Sequence, residues 1–293
     1  MLGYIYAIGS SLFFSLYIIP RKLSKLTPEL FSFLMSFGFF IGTVFIYLTF
    51  PSTHLNEQFS PILYWSVAAG IIWAISFVSF VKSIDYLGLA RSNQWKNLQG
   101  PIGVLLALLL LGESAQANPF FAIISALFIF SSALAFTISN GNDKVTEEKH
   151  GVIFALLSGL GFGTVAVIQK YVTSNIGVYT QQVVWSGTIF VSLFIYLLFR
   201  KNIANLIIQS KKDIPLAFLG GLVYLGASYF QLFSYKYIAA SIGFTLIQMN
   251  ALWTILIGIF VFKEVSLKIH YKRVFIGLMC TIAGIIILAF AKL

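Results

Sequence analysis

The chain has 293 residues, of which 59% are hydrophobic and only 10% charged, far from the roughly 25% charged of a soluble domain; so few charges cannot cover a water-soluble fold of this size, and a polytopic membrane protein is the class left standing. The net charge of +10 comes without any basic aromatic module, so it points to cytoplasmic loops and anionic lipid as partners and excludes nucleic acid. One cysteine, Cys280, and three scattered histidines, His54, His150 and His270, exclude a disulfide framework and make a metal site or a cofactor unexpected.

The chain opens with MLGYIYAIGSSLFFSLYIIPRK. Its charge follows the apolar stretch, the reverse of a secretory signal peptide, so it reads as a retained first membrane span. About 20 apolar residues cross the hydrocarbon core. That ruler predicts ten spans, near 2–20, 29–50, 61–82, 87–111, 118–138, 150–171, 178–199, 214–236, 239–262 and 270–291. The fourth is unusual. It begins with the polar run ARSNQWKNLQGP at 90–101, and the apolar part from Pro101 to Leu111 alone would reach only about 16 Å against a core of about 30 Å.

An internal repeat resolves this. GYIYAIGSS at 3–11 is echoed by GVIFALLSG at 151–159, and FIYLTF at 45–50 by FIYLLF at 194–199. A single offset of 151 places Ser83 on Ser234, Tyr86 on Tyr237, Asn97 on Gln248, Gln99 on Asn250 and Glu113 on Glu264. In this order and at this spacing the matches predict two five-span repeats, 1–138 and 151–293, joined by a linker at 139–150. The ninth span, 239–262, reads as a continuous crossing helix, so its counterpart should be helical and inside the membrane as well, with Pro101 as a kink.

Five is odd, so the second repeat should insert upside down, the inverted plan of secondary transporters. Charge agrees with this. Placing the odd-numbered connections in the cytoplasm puts fifteen Lys and Arg there (Arg21, Lys22, Lys25, Lys82, Arg91, Lys144, Lys149, Arg200, Lys201, Lys211, Lys212, Lys263, Lys268, Lys272 and Arg273). The opposite face keeps Lys170, Lys236 and Lys292. Both termini are then non-cytoplasmic.

Candidate site residues begin with the polar run. Arg91 lies near the predicted helix end and reads as snorkelling to the headgroups. Lys96 is about a turn and a half deeper and reads as facing an aqueous cavity. Ser92, Lys96 and Gln99 share one helical face, and Asn93, Asn97 and Gly100 the adjoining one. The repeat mate supplies Thr245, Gln248 and Asn250, with Trp253 a turn beyond; Gln248 and Asn250 point different ways, so one of them should bond a neighbouring helix. Lys96 maps to Ile247, so the site is asymmetric in charge. Trp73, Trp95, Tyr224, Tyr229 and Trp253 are aromatic candidates, with Tyr17 and Gln169 weaker ones. The substrate-binding set expected is Asn93, Trp95, Lys96, Asn97, Gln99, Tyr224, Tyr229, Gln248, Asn250 and Trp253.

The run SGLGFGTVA at 158–166 has the glycines of a nucleotide loop but neither the preceding strand nor the later acid, and reads as close helix packing. No Asp or Glu falls in the middle of a predicted span, which favours exchange or downhill movement unless Lys96 carries the proton. No clustered His, Asp or Cys set supports a membrane enzyme.

The ten spans, the two five-span halves and the span endings LLLLGE at 108–113 and FVFKE at 260–264 resemble the EamA-like branch of the drug/metabolite transporter superfamily. SSLFFSLYIIPRK at 10–22 is similar to the first span of the glucose/ribose porter and related sugar-uptake proteins. The resemblance implies a carrier with a central cavity lined by helices of both halves, including the fourth and ninth. The resulting expectation is an all-helical transporter in the plasma membrane, moving a small polar metabolite by alternating access. A sugar or sugar derivative comes first, then an amino acid or nucleoside-like solute. Lys96 would attract an anionic group while Asn93, Asn97, Gln99 and Gln248 orient the substrate. A flippase for lipid or lipid-linked sugar is the alternative.

Overall fold

Prolines decide where the first helices stop and start. The computed structural model describes residues 1–50, 60–112, 118–136, 145–199, 211–238, 240–263 and 267–290. Helix α1 (Leu2–Leu16) and α2 (Ile19–Leu23) form one apolar segment bent at Tyr17 and Ile18. Pro20 has no N–H to give to Leu16 O, and its ring crowds that carbonyl. Helix α3 (Pro28–Thr49) starts on Thr27, whose hydroxyl accepts from Leu30 N at 3.4 Å, with Pro28 at its first position and Glu29 in its first turn.

The chain continues through α4 (Leu63–Leu87), α5 (Leu89–Lys96), α6 (Gln99–Leu110), α7 (Pro119–Phe136), α8 (Val145–Thr173) and α9 (Val178–Leu198). It ends with α10 (Ile214–Tyr237), α11 (Ala240–Ile247), α12 (Asn250–Leu256), a π-helical turn at Ile257–Val261 and α13 (Leu267–Phe290). No strand occurs among the described residues. Six segments are long and apolar enough to cross a membrane: Leu2–Leu23, Pro28–Thr49, Leu63–Leu87, Glu148–Thr173, Val178–Leu198 and Lys211–Tyr237. Helix α8 begins inside the segment read as a linker. The rest of that linker, with His54, Glu113, Lys144, Arg200, Lys201, Glu264 and Lys292, lies outside the described residues.

The helices pack as two units, one of residues 1–78 and 168–238, the other of 79–167 and 239–293. Each unit therefore draws on both halves of the sequence. In the first, α10 lies against α1, α2 and α3, and α3 against α9. Two glycines bring α3 and α10 together backbone to backbone: a Cβ on Gly38 would sit 2.5 Å from Phe218 O, and one on Gly221 would land on Met35 O. The core of this unit is aromatic. The Tyr224 ring has Phe39 at 4.9 Å, Tyr17 and Trp73 at 5.1 Å and Trp185 at 6.2 Å.

In the second unit α7 pairs with α13 along its length, α5 and α6 both lie on α7, and the pairing crosses over, α5 with α12 and α6 with α11. A buried polar knot ties α5, α7 and α13: Gln94 Nε2 donates to Ser132 Oγ and to Thr281 Oγ1.

The α3–α10 approach makes a prediction. Gly221→Ala should destabilise the detergent-purified protein by about 1–3 kcal/mol through overpacking. Gly226→Ala should cost less, because its Cβ would meet only the Phe13 side chain at 3.3 Å. Equal thermal melting curves for the two variants would contradict the close approach.

Candidate substrate-binding site

The polar run at 90–101 does not make one helix. Helix α5 stops at Lys96 and α6 starts at Gln99. Through the break the backbone tightens: Leu98 N donates to Trp95 O at 3.4 Å and Gly100 N to Asn97 O at 3.0 Å. Pro101 is the cause. In a continuous helix its missing N–H would leave Asn97 O unserved, and its ring would press on that carbonyl. Gly100 N serves Asn97 O instead, from one residue nearer, and the proline falls in the first turn of α6, where no N–H is required. The kink expected at Pro101 thus becomes a break four residues earlier.

The second half breaks at the equivalent place without a proline. Helix α11 ends at Ile247 and α12 begins at Asn250, with Ala251 N donating to Gln248 O at 2.9 Å. Position 252, equivalent to Pro101, is Leu. Asn250 does the work here: its Nδ2 donates to Ile247 O at 2.6 Å, satisfying the carbonyl that the break sets free. The continuous ninth helix expected from its apolar run is corrected to two short helices and a π turn. Hydropathy registers no local capping of this kind.

Lys96 O is the counterpart of Ile247 O, and no described side chain donates to it. Gln99, the counterpart of Asn250, sends its Nε2 to Gln248 Oε1 at 3.3 Å, linking the two broken helices. Of the two residues expected to point different ways, Gln248 is therefore the interhelical partner and Asn250 the local cap. Helix α8 crosses the first break on its glycines. A Cβ on Gly159 would sit 2.8 Å from Lys96 O, and one on Gly163 would sit 3.1 Å from Gln99 O. The glycine-rich run is thus a packing surface, and its Cα–H groups are what Lys96 O meets.

Around the breaks, Asn93, Lys96, Asn97, Gln99, Gln248 and Asn250 are buried, each 7% exposed or less. Asn93 Nδ2, both polar atoms of Asn97, Gln248 Nε2 and Asn250 Oδ1 have no hydrogen-bond partner. Each such atom costs about 1–3 kcal/mol if nothing meets it. Native interiors rarely keep so many in one place without a water or ligand to fill them. The Lys96 ammonium lies 4.9 Å from the Phe80 ring centre and 6.0 Å from that of Phe162.

The remaining expected residues fall elsewhere. Trp95 packs with Leu87, Leu98, Val152 and Ala155 and edge-on to Phe130 at 5.5 Å. Trp253 is 38% exposed, outside the buried set. Tyr224 and Tyr229 belong to the first unit; Tyr224 is the centre of its aromatic cluster, and Tyr229 keeps a buried hydroxyl without a partner. Arg91, read as snorkelling, instead pairs with Glu148 at 3.1 Å. The sequence reading passed over Trp185, which is buried against Tyr224 with its Nε1 unpartnered. QQVVW at 181–185 carried the signal, two glutamines and a tryptophan in an apolar segment, much as in QWKN at 94–97.

Six helices long and apolar enough to cross a membrane define a multi-pass membrane protein, and two further segments are broken helices with unfilled amides at the breaks. The chain belongs to the family described as "Sugar transport protein", which it matches over residues 33–291. It is similar to the "Glucose uptake protein GlcU" of Bacillus subtilis, 22% identical over 77% of this chain and 78% of that protein. The "Probable glucose uptake protein GlcU" of Priestia megaterium is 22% identical over 81% of this chain and 83% of that one. The one from Bacillus cereus is 23% identical over 88% and 87%. A solved crystal structure at 13% identity shares the fold, with a TM-score of 0.68 over 99% of this chain and 97% of the other.

The two halves satisfy their breaks differently, which a pair of variants tests. Asn250→Ala strands Ile247 O and should cost about 1–3 kcal/mol of stability. Gln99→Ala removes only the 3.3 Å bond to Gln248 and should cost less. The reverse order in thermal melts of the purified variants would refute the capping role of Asn250.

Proposed function

We propose that the protein is a plasma-membrane sugar transporter that carries a hexose or hexose derivative and binds it at the α5–α6 and α11–α12 breaks. The observation that carries this reading is the unpartnered, buried amide set of Asn93, Asn97 and Gln248 in a member of the sugar transport family whose relatives are named for glucose uptake. Sugar hydroxyls donate and accept at once, and side-chain amides are their natural complement. Broken helices near the middle of a transporter are the usual place for such contacts.

We further infer ten spans, in two inverted repeats that alternate access to that site. Several features support this. The breaks at Asn97–Leu98 and Gln248–Met249 are one repeat apart, and Ser83 and Ser234 are both buried while Tyr86 and Tyr237 are both exposed. The pairing of α5 with α12 and α6 with α11 is the exchange expected of a pseudo-two-fold. In this arrangement α5–α6, α7, α11–α12 and α13 complete the ten.

Uptake of radiolabelled glucose and other hexoses, in a bacterial host stripped of its own glucose carriers, tests the substrate reading. The expected result is saturable uptake that Asn97→Ala lowers by about tenfold, the worth of one good hydrogen bond. Scrambling of labelled lipid by reconstituted protein, without sugar uptake, would instead support the flippase. The repeat plan is tested by C-terminal fusions: alkaline phosphatase should be active and green fluorescent protein dark. A bright fluorescent fusion would mean a cytoplasmic C-terminus and would rule out the arrangement.

A further inference from the structure

The atoms left without partners at the two breaks include three amide donors beside the acceptors Asn97 Oδ1 and Asn250 Oδ1. Asn93 Nδ2, Asn97 Nδ2 and Gln248 Nε2 are N–H groups, on side chains no more than 2% exposed. Lys96 adds an ammonium. Lys96 and Asn97 follow Asn93 by three and four residues, on adjoining faces at the end of α5. Gly100 lies past the break, in the first turn of α6, and Gln248 Cγ lies 3.0 Å from where a Cβ on Gly100 would be. The Gln248 side chain thus reaches the first break, which already carries Asn93, Lys96 and Asn97.

Among the described side chains, no carboxylate pairs with the Lys96 ammonium. A buried ammonium in a membrane helix normally draws a carboxylate. The second unit's carboxylates with described side chains are Asp85, which is exposed, and Glu148, which Arg91 holds at 3.1 Å. The faces of Phe80 and Phe162 stabilise the cation but leave its hydrogen-bonding capacity unused. Nor does the fold need the charge. The equivalent position in the other broken helix is Ile247, and that helix breaks in the same register. A lysine that is costly to bury and unnecessary to the backbone, with idle amide donors on nearby residues of the same break, fits an anion.

We infer that the sugar carried by this chain is an acid sugar, a hexuronate or an aldonate. Its carboxylate binds Lys96 Nζ, and its hydroxyls take the N–H groups of Asn93, Asn97 and Gln248. This rests on the sugar-transport reading above and narrows it from hexoses in general to those with a carboxylate.

The test is uptake of labelled glucuronate, gluconate and glucose into proteoliposomes holding the full-length protein, its Lys96→Arg variant and its Lys96→Met variant. The expected wild-type preference is for the two acids. Lys96→Met should lower acid uptake by about 100-fold, the usual scale for removing one partner of a buried charge pair, and Lys96→Arg should lower it less. Thermal melting of the wild type with each sugar needs no variant: glucuronate or gluconate should raise the melting temperature more than glucose. Preference for glucose in both assays, or full acid uptake by Lys96→Met, overturns the acid-sugar inference and leaves the sugar-transport reading standing. Transport and stabilisation by none of the three overturns both.

Discussion

A buried carbonyl released from its helix needs another partner, and the rest of this structure follows from how each half supplies one. The first half interrupts its helix with Pro101 and leaves Lys96 O facing the Cα–H groups of Gly159 on α8. The second uses Asn250 to cap Ile247 O directly. The first solution requires a glycine on the crossing helix. The second requires an amide one methylene shorter than the glutamine in the equivalent place. Because Gln99 is longer, it spans to Gln248 and ties the two breaks together. One side-chain length thus decides which polar atoms are used up and which remain without a partner among the described residues.

The open atoms matter more than the closed ones. The knot of Gln94, Ser132 and Thr281 binds three helices and leaves little unspent beyond Gln94 Oε1. At the breaks the balance is reversed, with amides of Asn93, Asn97 and Gln248 buried and unanswered. Burying them costs stability that a purely structural element would not sustain. Cores tolerate such expense chiefly at functional sites. The aromatic cluster around Tyr224 in the first unit is different in kind. Tyr17, Phe39 and Trp73 meet Tyr224 edge to face at ordinary packing distances, as in a filled core, with the Trp185 Nε1 the one ring nitrogen left without a partner among the described residues.

Much of this was legible in the sequence. The polar run at 90–101 stood out against its apolar neighbours, and the single offset of 151 carried Asn97 onto Gln248 and Gln99 onto Asn250, the residues at and beside the breaks. The glycines at 159 and 163 were readable as packing residues. Other features were hidden for physical reasons. Pro101 marks a helix fault, but the fault appears at the carbonyl four residues back, so its position is easily read too late. The division of the ninth span is easily missed, because Gln248 and Asn250 stand singly among Ile247, Met249 and Leu252 in an otherwise apolar run. Arg91 looked like a snorkelling end residue because its partner, Glu148, is 57 positions away in sequence. Trp253 was grouped with the site by proximity in sequence, yet its ring is on the exposed side of α12.

The central claim is that substrate answers the idle amides where the two helices are interrupted. An experimental structure of the full-length protein with a bound sugar tests it most directly. The account predicts ligand density within hydrogen-bonding distance of Asn93, Asn97 and Gln248. Density confined to the aromatic cluster around Tyr224, with those three amides still unmet, would contradict it.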